Sequence, residues 1–177
     1  MIELINNIDS HIMLFVQNYI RCPILSAIFV PLTKSGDGGL LLMAIGIILT
    51  VLKRTRKTGV VFLISLVMCY IINDVVLKNI FERSRPFVAV EELELLIKKP
   101  ISFSFPSGHT AVTFACAVSM LRMKEKYSVL ALVYAFLIGF SRIYVGAHYP
   151  TDVLCGAIVG SLTAVAVTYA FKKIKKC

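Results

Sequence analysis

The chain has 177 residues, of which 58% are hydrophobic and 16% charged, and 19 Lys and Arg residues against 10 Asp and Glu residues give a net charge of +9. Because about a quarter of the residues of a soluble domain are normally charged, the composition indicates a membrane protein. It excludes a disordered chain, a disulfide-rich secreted scaffold and a soluble nucleic-acid binder. The length predicts a single domain over residues 1–177.

Six apolar stretches predict an all-α fold, a polytopic membrane protein with about six transmembrane helices. The first stretch, 10–33, is interrupted by Arg21, Pro23 and Pro31, so it predicts either a kinked span or an interfacial helix followed by a re-entrant piece. The remaining five carry few charged residues. They are residues 38–52, 58–77, 106–121, 128–141 and 153–171.

The distribution of basic residues predicts the orientation in the membrane. With six crossings, the linkers 53–57 and 122–126 and the C-terminus fall on one side and hold 11 of the 19 basic residues. The positive-inside rule makes that side cytoplasmic. The protein is therefore expected in the plasma or inner membrane. The connection 87–105, which mixes glutamates with leucines, predicts a short amphipathic helix on the outer surface.

A first polar cluster lies at the end of the helix predicted over 58–77. Lys78 and Arg85 are seven residues apart and share a helix face if the helix continues, while Pro86 would end it. Asp74 and Glu82 lie one turn before and after Lys78, and either could hold the lysine in an ion pair. Taken alone, this cluster is better interpreted as a solvated basic helix end.

A second cluster, Pro106–Ser107–Gly108–His109, opens the next predicted helix. Ser107 suits the N-cap position and Gly108 lets an anion approach the backbone. Free amides and the helix dipole make such an end an anion site, into which His109 would project. A capped helix start with an incidental histidine is an equally good interpretation of this cluster alone.

A third cluster contains Ser141 and Arg142, followed by His148 and Asp152. Charged groups at a membrane boundary are costly unless they interact, and Pro150 can begin the last helix so that Asp152 lies beside His148. A carboxylate that accepts the Nδ1 proton of an imidazole leaves Nε2 free to act as a nucleophile or base.

Together the clusters supply three cations, a helix N-terminus and two histidines. Cations and amides suit the equatorial oxygens of a transferring phosphoryl group. Clusters of carboxylates that would hold a divalent metal are missing. The sequence therefore predicts phosphoryl transfer through a phosphohistidine, with no metal and no cofactor.

The ordered motifs resemble the complete three-part signature of the type 2 phosphatidic acid phosphatase (PAP2) superfamily, over a core of about 58–171. The hydropathy resembles its six-helix membrane lipid phosphatases. The resemblance implies that His148 attacks phosphorus, that Asp152 orients His148, and that His109 protonates the leaving oxygen and later activates water. The groups it implies for phosphate binding are Lys78, Arg85, Ser107, Gly108 and Arg142, whereas Ser141 is given less weight.

The leading functional prediction is a lipid phosphatase acting at the outer face of the membrane, with undecaprenyl diphosphate as the best single substrate. Phosphatidylglycerophosphate, phosphatidic acid and the 1-phosphate of lipid A are alternatives, because the motifs do not select the headgroup. The expected partners are a lipid phosphate and the bilayer, with no nucleic acid and no obligate protein partner. A transporter or scaffold with the same fold is the competing class, and a vanadate-dependent oxidase is disfavoured by the apolar composition.

Overall fold

The computed structural model describes residues 2–174 and contains no β-strand within that range. Lys175 and Lys176, which contribute to the predicted orientation, lie outside the described residues. The all-α prediction is confirmed for the described range. The α-helices in chain order are α1 Ile2–Phe15, α2 Pro23–Ser35, α3 Leu40–Val51, α4 Arg56–Tyr70, α5 Lys78–Phe81, α6 Pro86–Ala89, α7 Gly108–Arg122, α8 Ser128–Tyr144 and α9 Pro150–Ile174.

The number of helices able to span a membrane is smaller than predicted. Within the described residues, Arg56–Ala89 and Pro150–Ile174 are long and apolar enough to cross, and α2 with Asp37–Val51 makes a pair bent by 48° that would be a third span. Helix α8 is apolar but shorter. A crossing needs about 20 residues, and α7 has only 15. The prediction of about six crossings is therefore not confirmed.

The stretch 10–33 is not one continuous helix. Helix α1 begins at Ile2 and continues through a π-helical turn to Ile20, and the chain is then extended at Cys22. Pro23 begins α2, where a missing amide proton costs nothing. Pro31, expected to interrupt the stretch, lies inside α2.

Helix α7 lies at the centre of the fold, between α4, α8 and α9. Small residues allow the close approach to α9: a Cβ added at Gly156 would lie 2.6 Å from the carbonyl oxygen of Ser107. Such small-residue contacts are a common way to bring two apolar helices together. At the same end, the Ser107 amide donates to the carbonyl oxygen of Asp152 over 3.0 Å. The starts of α7 and α9 therefore meet, which joins the second and third clusters.

The helix that carries Lys78 ends before Arg85, contrary to the prediction that the two could share a helix face. Residues Ile71–Leu77 form a π-helical segment after α4, α5 ends at Phe81, and Glu82 has a left-handed backbone with φ of 45°. Arg85 is extended, and Pro86 begins a short new helix.

The connection between α6 and α7 is irregular, so the amphipathic helix predicted within 87–105 is wrong. Its apolar side chains pack inward: Leu93 contacts Met13 and Tyr149, and the Leu96 amide donates to the carbonyl oxygen of Val145 over 3.0 Å. These side chains are thus buried separately against α1 and the α8–α9 loop rather than along one helix face.

Candidate active site

The three clusters converge on one cavity of about 680 Å³. Ser107 and Asp152 are buried beside it rather than on its surface. Six of the eight predicted site residues therefore line this one cavity. These six are Lys78, Arg85, Gly108, His109, Arg142 and His148.

His148 and Arg85 form the floor of the cavity. His148 is 1% exposed, and its Nε2 lies 3.3 Å from Nη1 of Arg85. The guanidinium also donates to backbone carbonyls at 2.7–3.2 Å and to a serine hydroxyl at 3.1 Å, so its position is fixed from several directions. These partners are the carbonyl oxygens of Ser102, Phe103 and Ala147 and the Oγ of Ser102.

Asp152 lies next to His148, as the start of α9 at Pro150 predicted. The distance from His148 Nδ1 to Asp152 Oδ2 is 3.6 Å, which is too long for a hydrogen bond. The same oxygen accepts hydrogen bonds from the Tyr149 amide at 2.9 Å and the Ser104 hydroxyl at 2.5 Å. His148 Nδ1 has no hydrogen-bond partner among the described residues.

Arg83 and Asp9 complete this buried network, and sequence reasoning missed both. Arg83 donates to Asp152 Oδ1 at 2.6 Å and to Asp9 Oδ2 at 2.7 Å, and it lies over the Tyr149 ring at 4.0 Å. Asp9 also accepts from the amide of Thr151 at 3.1 Å. No sequence pattern singled out Asp9, which lies just before the predicted stretch 10–33 among other polar residues.

Arg142 is held from the N-terminal part of the chain. Its Nη1 donates to the hydroxyl of Thr33 at 2.6 Å, while its Nε has no partner among the described residues. Arg142 is 2% exposed. A buried guanidinium with an unpaired N–H beside a cavity is costly unless a ligand accepts from it.

The start of α7 is occupied by a carboxylate of the protein itself. Asp74 pairs with Lys78, so Asp74 rather than Glu82 holds the lysine. A Cβ added at Gly108 would lie 2.6 and 2.7 Å from the two Asp74 carboxylate oxygens. The Asp74 carboxylate therefore lies against Gly108, and binding of a substrate anion at this helix start stays a prediction.

The hydroxyl groups of two motif serines form hydrogen bonds within their own helices. Ser107 occupies the N-cap position of α7, but its side chain makes no capping hydrogen bond and accepts from the Thr110 hydroxyl at 3.0 Å. The predicted N-cap position of Ser107 is therefore confirmed, although its hydroxyl does not cap the helix. Ser141 donates to the carbonyl oxygen of Ile138 at 2.6 Å.

His109 projects into the cavity as predicted, and it has an acidic neighbour that the sequence did not indicate. Its Nε2 lies 2.9 Å from Oδ1 of Asp37, which belongs to the loop between α2 and α3. The site therefore contains two histidine–aspartate pairs, one on the floor and one at the rim.

The electrostatics of the floor keep His148 neutral. Burial lowers the pKa of His148 well below its ordinary value, and the positive charges of Arg85, Arg142 and Lys78 lower it further. The cause is that an imidazolium would lose its hydration and face like charges. A neutral imidazole has a lone pair available for attack on an electrophile.

Comparison with known proteins places this site in a family. The PAP2 superfamily model matches residues 58–176. An undecaprenyl-diphosphatase of Sulfolobus acidocaldarius is 35% identical over 157 residues, which is 88% of this chain and 75% of that protein.

Two solved structures share the fold. A transmembrane PAP2-type phosphatidylglycerolphosphate phosphatase from Bacillus subtilis matches with a TM-score of 0.79 and 29% identity, over 97% of this chain and 88% of that one. LpxE of Aquifex aeolicus matches with a TM-score of 0.77 and 28% identity, over 89% and 92% of the two chains.

The chain belongs to the PAP2 superfamily. It is a membrane lipid phosphatase, which confirms the enzymatic prediction.

Proposed function

We propose that the protein hydrolyses a lipid diphosphate, undecaprenyl diphosphate, to the lipid monophosphate and phosphate through a phosphohistidine on His148. The observation that carries the proposal is the cavity itself, whose floor holds a neutral histidine beside the unsatisfied Arg142 guanidinium. The similarity to the undecaprenyl-diphosphatase of Sulfolobus acidocaldarius supports the choice of substrate.

In the first step, Nε2 of His148 attacks the terminal phosphorus and the bond to the leaving oxygen breaks. Asp152 orients the ring and stabilises its positive charge from the Nδ1 side, at the observed 3.6 Å. His109 gives a proton to the leaving oxygen.

The phosphoryl oxygens are bound by Arg142, Arg85 and Lys78, with the start of α7 at Gly108 beside them. Ser107, which is buried next to the cavity, holds that helix start in place through its amide hydrogen bond to the carbonyl oxygen of Asp152. Arg142 offers its unpaired Nε. These fixed cations stabilise the charge of the transition state, so the proposed reaction uses neither a metal nor a cofactor.

In the second step, water attacks the phosphohistidine and His109 accepts the proton. The P–N bond to His148 breaks, phosphate leaves, and both histidines return to their starting states. The same residue serves as acid and then as base, as microscopic reversibility requires.

The charge of the cavity supports a diphosphate over a monophosphate. Six cations line it against two acids, Asp37 and Asp74. Three of the six are exposed lysines that form no ion pair among the described residues, and they surround the buried floor. The lining also includes the apolar side chains of Met43, Val67 and Tyr70, as a lipid tail would need. The three exposed lysines of the cavity are Lys34, Lys98 and Lys99.

The substrate proposal predicts that prenyl diphosphates are hydrolysed faster than other lipid phosphates. Exposed charge pairs contribute up to about 1 kcal/mol each. A second phosphate that contacts two of the three exposed lysines of the cavity should therefore raise kcat/KM by about tenfold. The measurement compares undecaprenyl and farnesyl diphosphate with phosphatidic acid, phosphatidylglycerophosphate and lipid A in one detergent at equal surface concentration.

Two further variants sharpen this comparison. Lys98→Gln with Lys99→Gln should reduce the preference for the diphosphate, whereas Lys53→Gln with Lys57→Gln, on an exposed linker outside the cavity, should leave it unchanged. A marked preference for phosphatidylglycerophosphate or lipid A would show that the proposed substrate is wrong and would leave the proposed residue roles untouched.

We also propose the arrangement in the membrane. Residues 1–177 form one domain with a motif-bearing core at about 58–171 and six crossings of the plasma or inner membrane. The cavity faces the extracytoplasmic side. Contacts such as that of Thr33 with Arg142 support a single domain, because they join the N-terminal third to the motifs.

Cysteine accessibility tests this orientation. In a background lacking Cys22 and Cys177, Glu92→Cys should react with an impermeant maleimide in intact cells, and Lys124→Cys should react only after permeabilisation. Both positions are exposed, so a difference in labelling reports which side of the membrane each occupies. The reverse pattern would place the cavity at the cytoplasmic face.

A further inference from the structure

The loop between α2 and α3 lies directly against the second motif histidine. It consists of Gly36, Asp37, Gly38 and Gly39, and the last two glycines have left-handed φ angles of 62° and 66°. Residues with a Cβ rarely adopt this conformation. The glycines therefore permit the sharp turn that presents Asp37 to His109.

Two contacts tie this loop to the His109 ring. Asp37 Oδ1 lies 2.9 Å from Nε2, and both residues line the cavity. A Cβ added at Gly36 would lie 2.8 Å from Cδ2 of the same ring. The carboxylate therefore holds one edge of the imidazole while the loop backbone packs against it.

Hydrogen bonding leaves a single ring nitrogen for chemistry. With Nε2 facing Asp37, Nδ1 of His109 makes no hydrogen bond to a described residue. An acidic partner on one nitrogen fixes the ring tautomer and stabilises the charged ring.

We propose that Asp37 is a positioning residue that makes His109 an effective proton donor through Nδ1. This rests on the proposed function, in which His109 is the general acid. As the phosphorus–oxygen bond breaks, the Nδ1 proton moves to the leaving oxygen. The Nε2–H group keeps its hydrogen bond to the Asp37 carboxylate. When water then attacks the phosphohistidine, Nδ1 takes a proton from that water and the imidazolium is restored.

The proposal predicts a dependence on the leaving group. In farnesyl phosphate the leaving group is a strongly basic alkoxide, which needs a proton as it departs. In p-nitrophenyl phosphate the leaving group is the weakly basic nitrophenolate, which has little need of one. Asp37→Asn should lower kcat/KM for farnesyl phosphate by about 10- to 100-fold, the effect of losing a charge-assisted hydrogen bond. For p-nitrophenyl phosphate the loss should stay within about threefold.

Gly36→Ala gives a second, independent test. The backbone at Gly36, with φ of −85°, accepts alanine, but the added methyl group would lie 2.8 Å from Cδ2 of His109 and so displace the ring from its position beside Asp37. This variant should show the same selective loss. Glu91→Gln removes an exposed carboxylate outside the cavity and should change neither substrate's kcat/KM.

His109→Ala separates failure of this inference from failure of the proposed function. A selective loss in His109→Ala but not in Asp37→Asn overturns the role of Asp37 alone. Equal losses on both substrates in Asp37→Asn also overturn it, because a structural defect does not depend on the leaving group. If His109→Ala itself shows no selective loss, then His109 is not the acid and both proposals are wrong.

Discussion

Replacing His148 by alanine is expected to lower kcat by about 10⁴-fold or more, because the group that forms the covalent intermediate is lost. The ring is buried on the cavity floor with Nε2 toward Arg85. His109→Ala should cost about 10²- to 10⁴-fold, the usual contribution of a general acid. Phosphate release from farnesyl diphosphate measures both.

Trapping of the intermediate distinguishes the two roles. Labelled substrate quenched in alkali should leave phosphate on the wild-type protein and none on His148→Ala. His109→Ala should retain the label for longer, since its intermediate lacks a base to activate water. His11→Ala is the matched control: its ring is exposed and bonds only to the carbonyl oxygen of Asn7, at 2.7 Å, among the described residues.

Label on His148→Ala would show that another residue is the nucleophile. The measurement should be accompanied by thermal unfolding in detergent, because alanine leaves a void at a buried position. His148→Asn, which fills more of that void, should be equally inactive. EDTA should leave wild-type turnover unchanged, since fixed cations supply the positive charge in the proposed mechanism.

Local sequence signals were sufficient to place the motif residues at one end of the fold. Proline and small polar residues predicted where α7 and α9 begin, and these starts hold His109 and Asp152. Hydropathy was less informative about helix ends. It could not indicate that the chain leaves the helix at Glu82, since that depends on how Arg85 is held by the connection that follows.

The partners of the motif residues were beyond sequence reasoning. Asp37 pairs with His109 across 72 positions, Asp9 with Arg83 across 74, and Thr33 with Arg142 across 109. Periodicity reports only neighbours within a few turns. All three partners lie before residue 58, where the family match begins. The N-terminal helices therefore supply side chains that hold the motifs in place.

Replacing Arg83 by glutamine is expected to lower the free energy of unfolding by about 3 kcal/mol or more. The guanidinium bonds to Asp9 at 2.7 Å and to Asp152 at 2.6 Å, and these carboxylates are 1% and 0% exposed. Glutamine would leave two buried negative charges without a cation, which is the costly way to break a buried pair. Thermal unfolding in detergent measures the loss, with Arg54→Gln on an exposed linker as the control.

The double variant Asp9→Asn with Arg83→Gln tests whether repulsion between the two carboxylates is the cause. Because it removes one of the two charges, it should recover part of the lost stability. It should not recover phosphatase activity, since Asp152 still lacks the Arg83 contact that holds it beside His148. A double variant as unstable as Arg83→Gln would show that the arginine acts by packing on Tyr149 rather than by its charge. In that case Lys in place of Arg83 should fail as well, because an ammonium group cannot stack on the ring as a planar guanidinium does.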